Sequence, residues 1–429
     1  MIEQWVAMAG EGDETRAWQE VTRFAEDLPE EQAEELAAEL AGWPGRRPMP
    51  YRWWQERHRG ERHPWHRLAD HRVVYVDPEM LDDPDAYEEC DGGPPVDGER
   101  QPDFASGIDA LAVNSDLRRV ALATAAQGNH ECGEIWLFDA ETGTWDCDDD
   151  LGDEWIGAGG DIAFSPDGAL LAVASTTNLP VLVWRTDGMV RLWAAGDAAA
   201  WRTGDLATDD GEYLRDAADG LPFSHIGFSG DGRLLVAVSA PLPLHEEEAE
   251  DRRIVVAVAE TGEVVCAMTA PVRGGAVLDR SGRRLAHVGD GGEVLVHDVA
   301  TGALLTRHRT GLPTARTLVF APDGETIAVG GEGAVEVIRT GAGPGPEDAG
   351  PRTIEGTCQA LHWSPDTLRA LVAEGDRLTV VDAAGRAVWT GETTQSGPGT
   401  AAFTPDGRAL LTVDDDTTEV IAWFLDGGE

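Results

Sequence analysis

Short apolar runs alternate with short polar turns through the last three quarters of the chain. Leu170-Leu171-Ala172-Val173-Ala174, Leu234-Leu235-Val236-Ala237-Val238 and Leu410-Leu411-Thr412-Val413 are almost wholly apolar. Runs of this length without alternation predict strands buried on both faces. Each follows the same phrase. The clearest copies are Phe164-Ser165-Pro166-Asp167-Gly168, Phe228-Ser229-Gly230-Asp231-Gly232, Phe320-Ala321-Pro322-Asp323-Gly324, Trp363-Ser364-Pro365-Asp366-Thr367 and Phe403-Thr404-Pro405-Asp406-Gly407. Val113-Asn114-Ser115-Asp116 and Leu278-Asp279-Arg280-Ser281-Gly282 are degraded copies.

Ser-Pro-Asp-Gly is a turn with a mechanism. Ser bonds onward backbone, Pro presets its φ near −65°, and Gly takes the strained last position. The flanking runs are then two antiparallel strands. A third follows, as in Glu134-Ile135-Trp136-Leu137-Phe138, Val294-Leu295-Val296-His297 and Arg377-Leu378-Thr379-Val380-Val381. It ends in a second turn such as Asp298-Val299-Ala300-Thr301-Gly302, and a short fourth strand such as Ala387-Val388-Trp389 comes next. Four short strands per repeat, with the second buried, describe a propeller blade. Markers at Asp116, Asp167, Asp231, Ser281, Asp323, Asp366 and Asp406 are spaced by 51, 64, 50, 42, 43 and 40 residues. The last three steps fit a blade repeat of about 40–45 residues. The first three carry insertions, the larger ones near Ala198–Gly220 and Ala240–Asp251.

On these motifs, residues 71–429 resemble the WD40 and TolB-like propeller families. The departures are specific. Phe138-Asp139, His297-Asp298 and Val381-Asp382 stand where a Trp-Asp pair would, and no Gly-His pair opens the repeats. The expected fold class is all-β, a seven-bladed β-propeller with a small N-terminal helical extension. The last repeat supplies only three strands, ending in Val420-Ile421-Ala422-Trp423-Phe424. Residues 72–76, within Arg72-Val73-Val74-Tyr75-Val76, are expected to pair with it and close the ring.

The expected domains are a helical hairpin over 1–45, a basic aromatic strap over 46–71 and the propeller over 72–429. In the hairpin, Ala17, Trp18, Val21 and Phe24 share one helical face. Ala33, Leu36, Ala37 and Leu40 share another after Pro29. Arg46 to Arg72 holds eight Arg and four His, interleaved with Tyr51, Trp53, Trp54 and Trp65. Three readings stay open for it. It packs on the acidic body as a strap, it is a recognition surface rich in Trp and Arg, or its His63-x-x-His66 spacing ligates a metal.

Composition narrows the function classes. The net charge is −46 over 429 residues, and all 33 basic residues are Arg. Without Lys there is no P-loop lysine, no kinase-type lysine and no Schiff-base chemistry. So negative a chain is not expected to bind nucleic acid or anionic membranes. Met1-Ile2-Glu3-Gln4-Trp5 lacks the pattern of a signal peptide, and no apolar stretch reaches membrane-span length. Cys90, Cys132, Cys147, Cys266 and Cys358 are odd in number and scattered. A cytoplasmic protein with reduced thiols is expected.

No His-Glu-x-x-His run or nucleophile elbow is present, so no catalytic, cofactor or metal residues are assigned. The loops joining second and third strands should all emerge on one face of the disc. They carry Glu246, Glu247 and Glu248; Asp290; Glu332; Glu374 and Asp376; then Asp414, Asp415 and Asp416. Arg273 and Arg316 lie in neighbouring loops of that face. These residues, with Trp53, Trp54 and Trp65, form the candidate partner-binding set. The resemblance implies a non-catalytic interaction module or scaffold whose partner is another protein or peptide, a basic one on charge grounds. The alternative is a propeller enzyme, or a binder of a metal or small molecule at the channel mouth.

Overall fold

The repeated turn is built from its own side chains. In the computed structural model, Gly168 N–H donates to Ser165 O at 2.8 Å, and Gly168 sits at φ 71°. Ser165 Oγ donates to Asp167 Oδ1 at 2.6 Å and accepts from Leu170 N–H at 2.9 Å. The Ser165 hydroxyl and then the Ala169 N–H hold the Asp167 carboxyl below its ordinary range. The Ser229 turn repeats these bonds, with Ser229 Oγ to Asp231 Oδ1 at 2.7 Å and Leu234 N–H to Ser229 Oγ at 3.0 Å. The degraded copies keep the geometry by other means. Asp279 Oδ1 accepts from Arg283 N–H at 2.8 Å, and Asn114 Oδ1 accepts from Arg119 N–H at 3.0 Å. A side-chain oxygen for that amide, not the serine itself, is the common feature: where Ala321 replaces Ser, Asp323 Oδ1 accepts from Thr326 N–H at 2.8 Å.

The structure describes residues 71–75, 108–114, 118–124, 135–139, 144–147, 161–174, 181–195, 201, 223–240, 250–340, 352–363, 368–374, 377–383, 385–392, 401–404, 407, 409–414 and 419–425. These residues are strands and turns, with one 3-10 turn at Asp290–Gly292 and no α-helix among them. The expected hairpin over 1–45 and the expected strap over 46–71, with Trp53, Trp54 and Trp65, lie outside the described residues, except that His71 begins the first strand.

The first strand, β1 (His71–Tyr75), is distant in sequence from its partner. β2 (Ile108–Val113), β3 (Arg119–Thr124), β4 (Ile135–Asp139) and β5 (Thr144–Cys147) form one antiparallel meander. β6 (Asp161–Phe164), β7 (Leu170–Ala174), β8 (Val181–Arg185) and β9 (Val190–Ala194) form the next. A longer sheet runs from β10 (Phe223–Phe228) through β11 (Leu234–Ser239), β12 (Glu250–Val258), β13 (Val264–Leu278), β14 (Arg284–Val288), β15 (Glu293–Asp298) and β16 (Leu304–Arg309). Strand β13 belongs to two meanders. Its first part pairs with β12 and its last part with β14, across a bend where Gly274 takes φ 75°.

The following sheet holds β17 (Thr317–Phe320), β18 (Thr326–Arg339), β19 (Arg352–Trp363), β20 (Leu368–Glu374), β21 (Arg377–Asp382) and β22 (Ala387–Glu392). β18 doubles back at Gly331-Glu332-Gly333, which brings Thr340 N–H onto Glu325 O at 2.7 Å. β23 (Ala401–Phe403), β24 (Ala409–Asp414) and β25 (Glu419–Phe424) come last, and β1 completes their sheet. His71 pairs with Trp423, Arg72 with Ala422 and Val73 with Ile421, antiparallel.

Second strands are buried on both faces, as their apolar runs require. All five residues of β7 are buried, and so are Leu235 to Val238 of β11. One face of each meander packs on the preceding neighbour and the other on the following one. Leu171 and Val173 join a core with Ala121, Ala123, Ile135 and Leu137 of the previous meander. Ala172 and Ala174 join one with Leu235, Ala237, Val255 and Ala257 of the next. First strands therefore lie side by side: β2 against β6, β6 against β10, β10 against β13, β13 against β17 and β17 against β19. The circuit returns through Leu371, Val380 and Trp389, packed with Leu410 and Leu425, and through β23 against β2.

This closure makes a length-dependent prediction. Deleting residues 1–76 removes β1 and bares the edge of β25, so the thermal midpoint should fall clearly. Deleting residues 1–45 leaves β1 in place and should keep the ring folded, which circular dichroism melts of the two deletions would check.

Candidate functional site

The two ends of the ring differ in chemistry. The Ser-Pro-Asp-Gly turns gather at one end, where a Cβ on Gly232 would touch Pro166 of the turn before it at 3.4 Å. Carboxylates there are engaged. Arg118 pairs with Asp139 at 3.2 Å, Arg339 with Glu325 at 3.0 Å and Arg386 with Asp382 at 2.7 Å. At the other end, the loop end, lie the tips joining second to third strands and the connectors between meanders.

The connector Thr310–Arg316 organises part of the loop end. Gly292, closing the Asp290 turn, lies so close that a Cβ would sit 2.0 Å from Leu312 O. Thr310 Oγ1 donates to Gly292 O at 2.7 Å. Arg273 Nη1 donates to Pro313 O at 2.9 Å. Arg316 N–H donates to Gly330 O at 3.0 Å, and Glu332 N–H donates to Thr314 Oγ1 at 3.1 Å. Glu332 is in register with Thr357, which pairs in turn with Ala373 beside Glu374. Asp290, Glu332 and Glu374 are thus set on successive loops, with Arg273 and Arg316 between the first two. All three carboxylates are exposed and make no ion pair among the described residues. Arg316 is exposed, whereas Arg273 is partly buried by its carbonyl bond.

The remaining members of the candidate set divide differently. Asp414 ends β24, in register with Glu419. Glu246, Glu247, Glu248, Asp376, Asp415 and Asp416 lie outside the described residues.

Beneath the loops is a polar network that the repeat motif alone did not single out. Asp161 opens β6 and His225 occupies the same motif position in β10. His225 Nδ1 meets Asp161 Oδ2 at 2.9 Å, and His225 Nε2 meets Ala276 O of β13 at 2.9 Å. One imidazole therefore bridges three neighbouring first strands. A carbonyl only accepts, so Nε2 carries a proton, and the carboxylate draws one to Nδ1. Burial pushes this imidazole down, but the bond to Asp161 and its charge outweigh burial and hold the value above the ordinary one. Gly275 is required here, because a Cβ would stand 2.6 Å from the His225 ring. Arg252, 5% exposed, locks the same region. Its guanidinium donates to Ser239 O at 2.6 Å, Gly274 O at 2.7 Å and Ser224 Oγ at 2.8 Å. These buried donors are spent on backbone and hydroxyl acceptors, which stiffens the platform under the loops.

Among the described residues no group of three or more His, Cys, Asp or Glu could hold a metal ion. Cys358 is buried, and burial pushes its thiol up to about 12, which makes it inert as a nucleophile. Among the described residues no helix is long and apolar enough to cross a membrane.

No protein-family model matches the chain, and no curated protein matches it. The solved structures do contain its fold. The chain is similar to the β-propeller domain of Cps50 (Swd1) from Myceliophteria thermophila, with a TM-score of 0.52 and 13% identity. The match covers 74% of this chain and 96% of that one. The all-β propeller fold expected from the repeats is therefore the observed one.

The His225 bridge has a defined pH sign. Its folded value lies above the unfolded one, so its stabilisation is complete below about pH 6.5 and lost as pH rises through the folded value. Asp161→Asn should lower stability at pH 6 by about 1 kcal/mol, a discounted figure for a partly exposed charged bond. It should also flatten the alkaline decline of the thermal midpoint between pH 6 and 9.

Proposed function

We propose that this protein is a non-catalytic interaction scaffold: a seven-bladed WD40-like propeller, closed by β1, whose loop end receives a basic protein or peptide. WD40-like propellers usually present a face to other proteins. One observation carries the choice of face. The turn-end carboxylates are consumed by backbone N–H groups and Arg, whereas Asp290, Glu332 and Glu374 stand exposed without ion pairs among the described residues. Clustered charge of one sign over a low-dielectric body focuses the field and speeds encounter with the opposite charge. The acids Glu246, Glu247, Glu248, Asp414, Asp415 and Asp416 extend this face on the order of the repeats. A cytoplasmic location fits the same reading.

Arg273 and Arg316 interrupt the acids, so the face is not a uniform cation trap. The pattern favours a partner with basic groups spaced around an acidic or carbonyl-bearing one. Each exposed carboxylate should contribute well under about 1 kcal/mol, because such pairs are screened. The effect therefore belongs to the association rate and its salt dependence.

An oligo-arginine peptide serves as the probe. Changing Asp290→Asn, Glu332→Gln and Glu374→Gln together should slow its association about tenfold at low ionic strength. The difference should vanish at high salt. Equal rates for the two proteins at every ionic strength would show that these acids only solubilise the surface.

A further inference from the structure

The seam between β10–β13 and β13–β16 contains a pair of histidines that no interaction reading uses. His287 of β14 is 0% exposed and His297 of β15 is half-buried. Their Nε2 atoms are 3.2 Å apart, and the rings are stacked with centroids 5.3 Å apart. His287 shares a strand face with Leu285, which packs against Val236, Val238, Ile254 and Val256 of the preceding meander.

Partners fix the tautomers. His297 Nδ1 meets Gly302 O at 3.4 Å, and a carbonyl only accepts, so Nδ1 carries the proton. His297 Nε2 is then a bare lone pair and accepts from His287 Nε2–H. His287 Nδ1 is buried without a hydrogen bond of ordinary geometry, and the Val288 backbone offsets only a small part of the push on its ring. This arrangement holds one hydrogen between two facing nitrogens. Protonating His297 at Nε2 either sets two N–H groups against each other at 3.2 Å or forces His287 into its Nδ1–H tautomer, and in both cases puts a charge beside the apolar seam. Protonating His287 would put a charge into an apolar seam.

We propose that the His287–His297 pair makes this inter-blade seam an acid-sensitive joint, packed while both rings are neutral and loosened when either takes a proton.

The charged groups around it do not counter that charge. On β15, Glu293 is already held by Arg307 at 3.1 Å. Asp298, also on β15, is engaged by Thr301 N–H at 2.9 Å and by the Thr301 hydroxyl at 2.6 Å. From β12, Arg252 is spent on carbonyls and a hydroxyl, and Arg253 adds positive charge near Cys266. From β13, the Cys266 thiol is pushed up by burial and then by Asp298, so it stays neutral. Burial and the neighbouring ring together push His287 down to about 4, and burial pushes His297 down. The sign follows. Below an ordinary value of 6.5 the unfolded chain binds protons that the packed seam refuses, so stability falls as pH drops toward about 4.

The experiment uses the full chain. Backbone hydrogen exchange, corrected for intrinsic rate, is compared at pH 7 and pH 5. Amides of β14 and β15 should open about tenfold more readily at pH 5, while those of β7 and β8 change little. The variant His287→Leu, His297→Leu should lose this local acid response. Equal responses in the two regions, or an unchanged response in the variant, would overturn the proposal. If the variant fails to fold, the ring C2–H resonances of the native protein decide. Both rings resisting protonation well below pH 6.5 supports the joint. Ordinary titration of both refutes it.

Discussion

Everything in this fold depends on a second strand that is apolar on both faces. Leu171 and Val173 of β7 need the preceding meander, and Ala172 and Ala174 need the following one. No meander can bury both faces alone, so each exists only between two neighbours. A row of such units has two bare ends, and closing it into a ring removes both. Fully burying one Val or Leu is worth roughly 1.5–3 kcal/mol, so an open seam of several such residues would cost more than a typical domain's net stability. The pairing of β1 with β25 supplies the missing fourth strand for the last three.

The two ends of the ring then acquire different chemistry for a local reason. At the turn end, the described hairpins use side-chain oxygens to satisfy their own N–H groups, as Asp167, Asp279 and Asp323 do. Those acids are structural. At the loop end the hairpins close through tips such as Gly331-Glu332-Gly333, whose side chains have no such duty. Acids placed there, as Asp290, Glu332 and Glu374 are, stay exposed. Beneath them, Arg252 and the Asp161–His225–Ala276 bridge tie neighbouring first strands and keep the loop bases in place.

The turns and strands were legible in the sequence because their determinants are local. Ser165, Pro166, Asp167 and Gly168 specify one hairpin by themselves, and the run after them declares its burial. The β1 closure was legible from counting strands in the last repeat. The loop-end arc was legible in outline, since strand order alone puts Asp290, Glu332 and Glu374 at one end. Two features were not. The His225 bridge joins residues 64 and 51 positions apart, on three different repeats. Aligning the repeats on their Phe-Ser turns would have flagged it, because Asp161 and His225 fall where other copies have Ala110, Gly275, Thr317 and Ala360. The His287–His297 pair was the other, because its facing nitrogens depend on the β14–β15 register, one diagonal step apart. β13 also ran on where a loop was expected, because Gly274 lets the chain bend without leaving its ladder.

The central claim is the closed ring, and a cross-link across its joint tests it most directly. Arg72 and Ala422 are register partners on β1 and β25. The pair Arg72→Cys and Ala422→Cys should oxidise to a disulfide in the native protein and raise its thermal midpoint over the reduced form. Failure of these thiols to join, while the protein stays folded, would contradict the account.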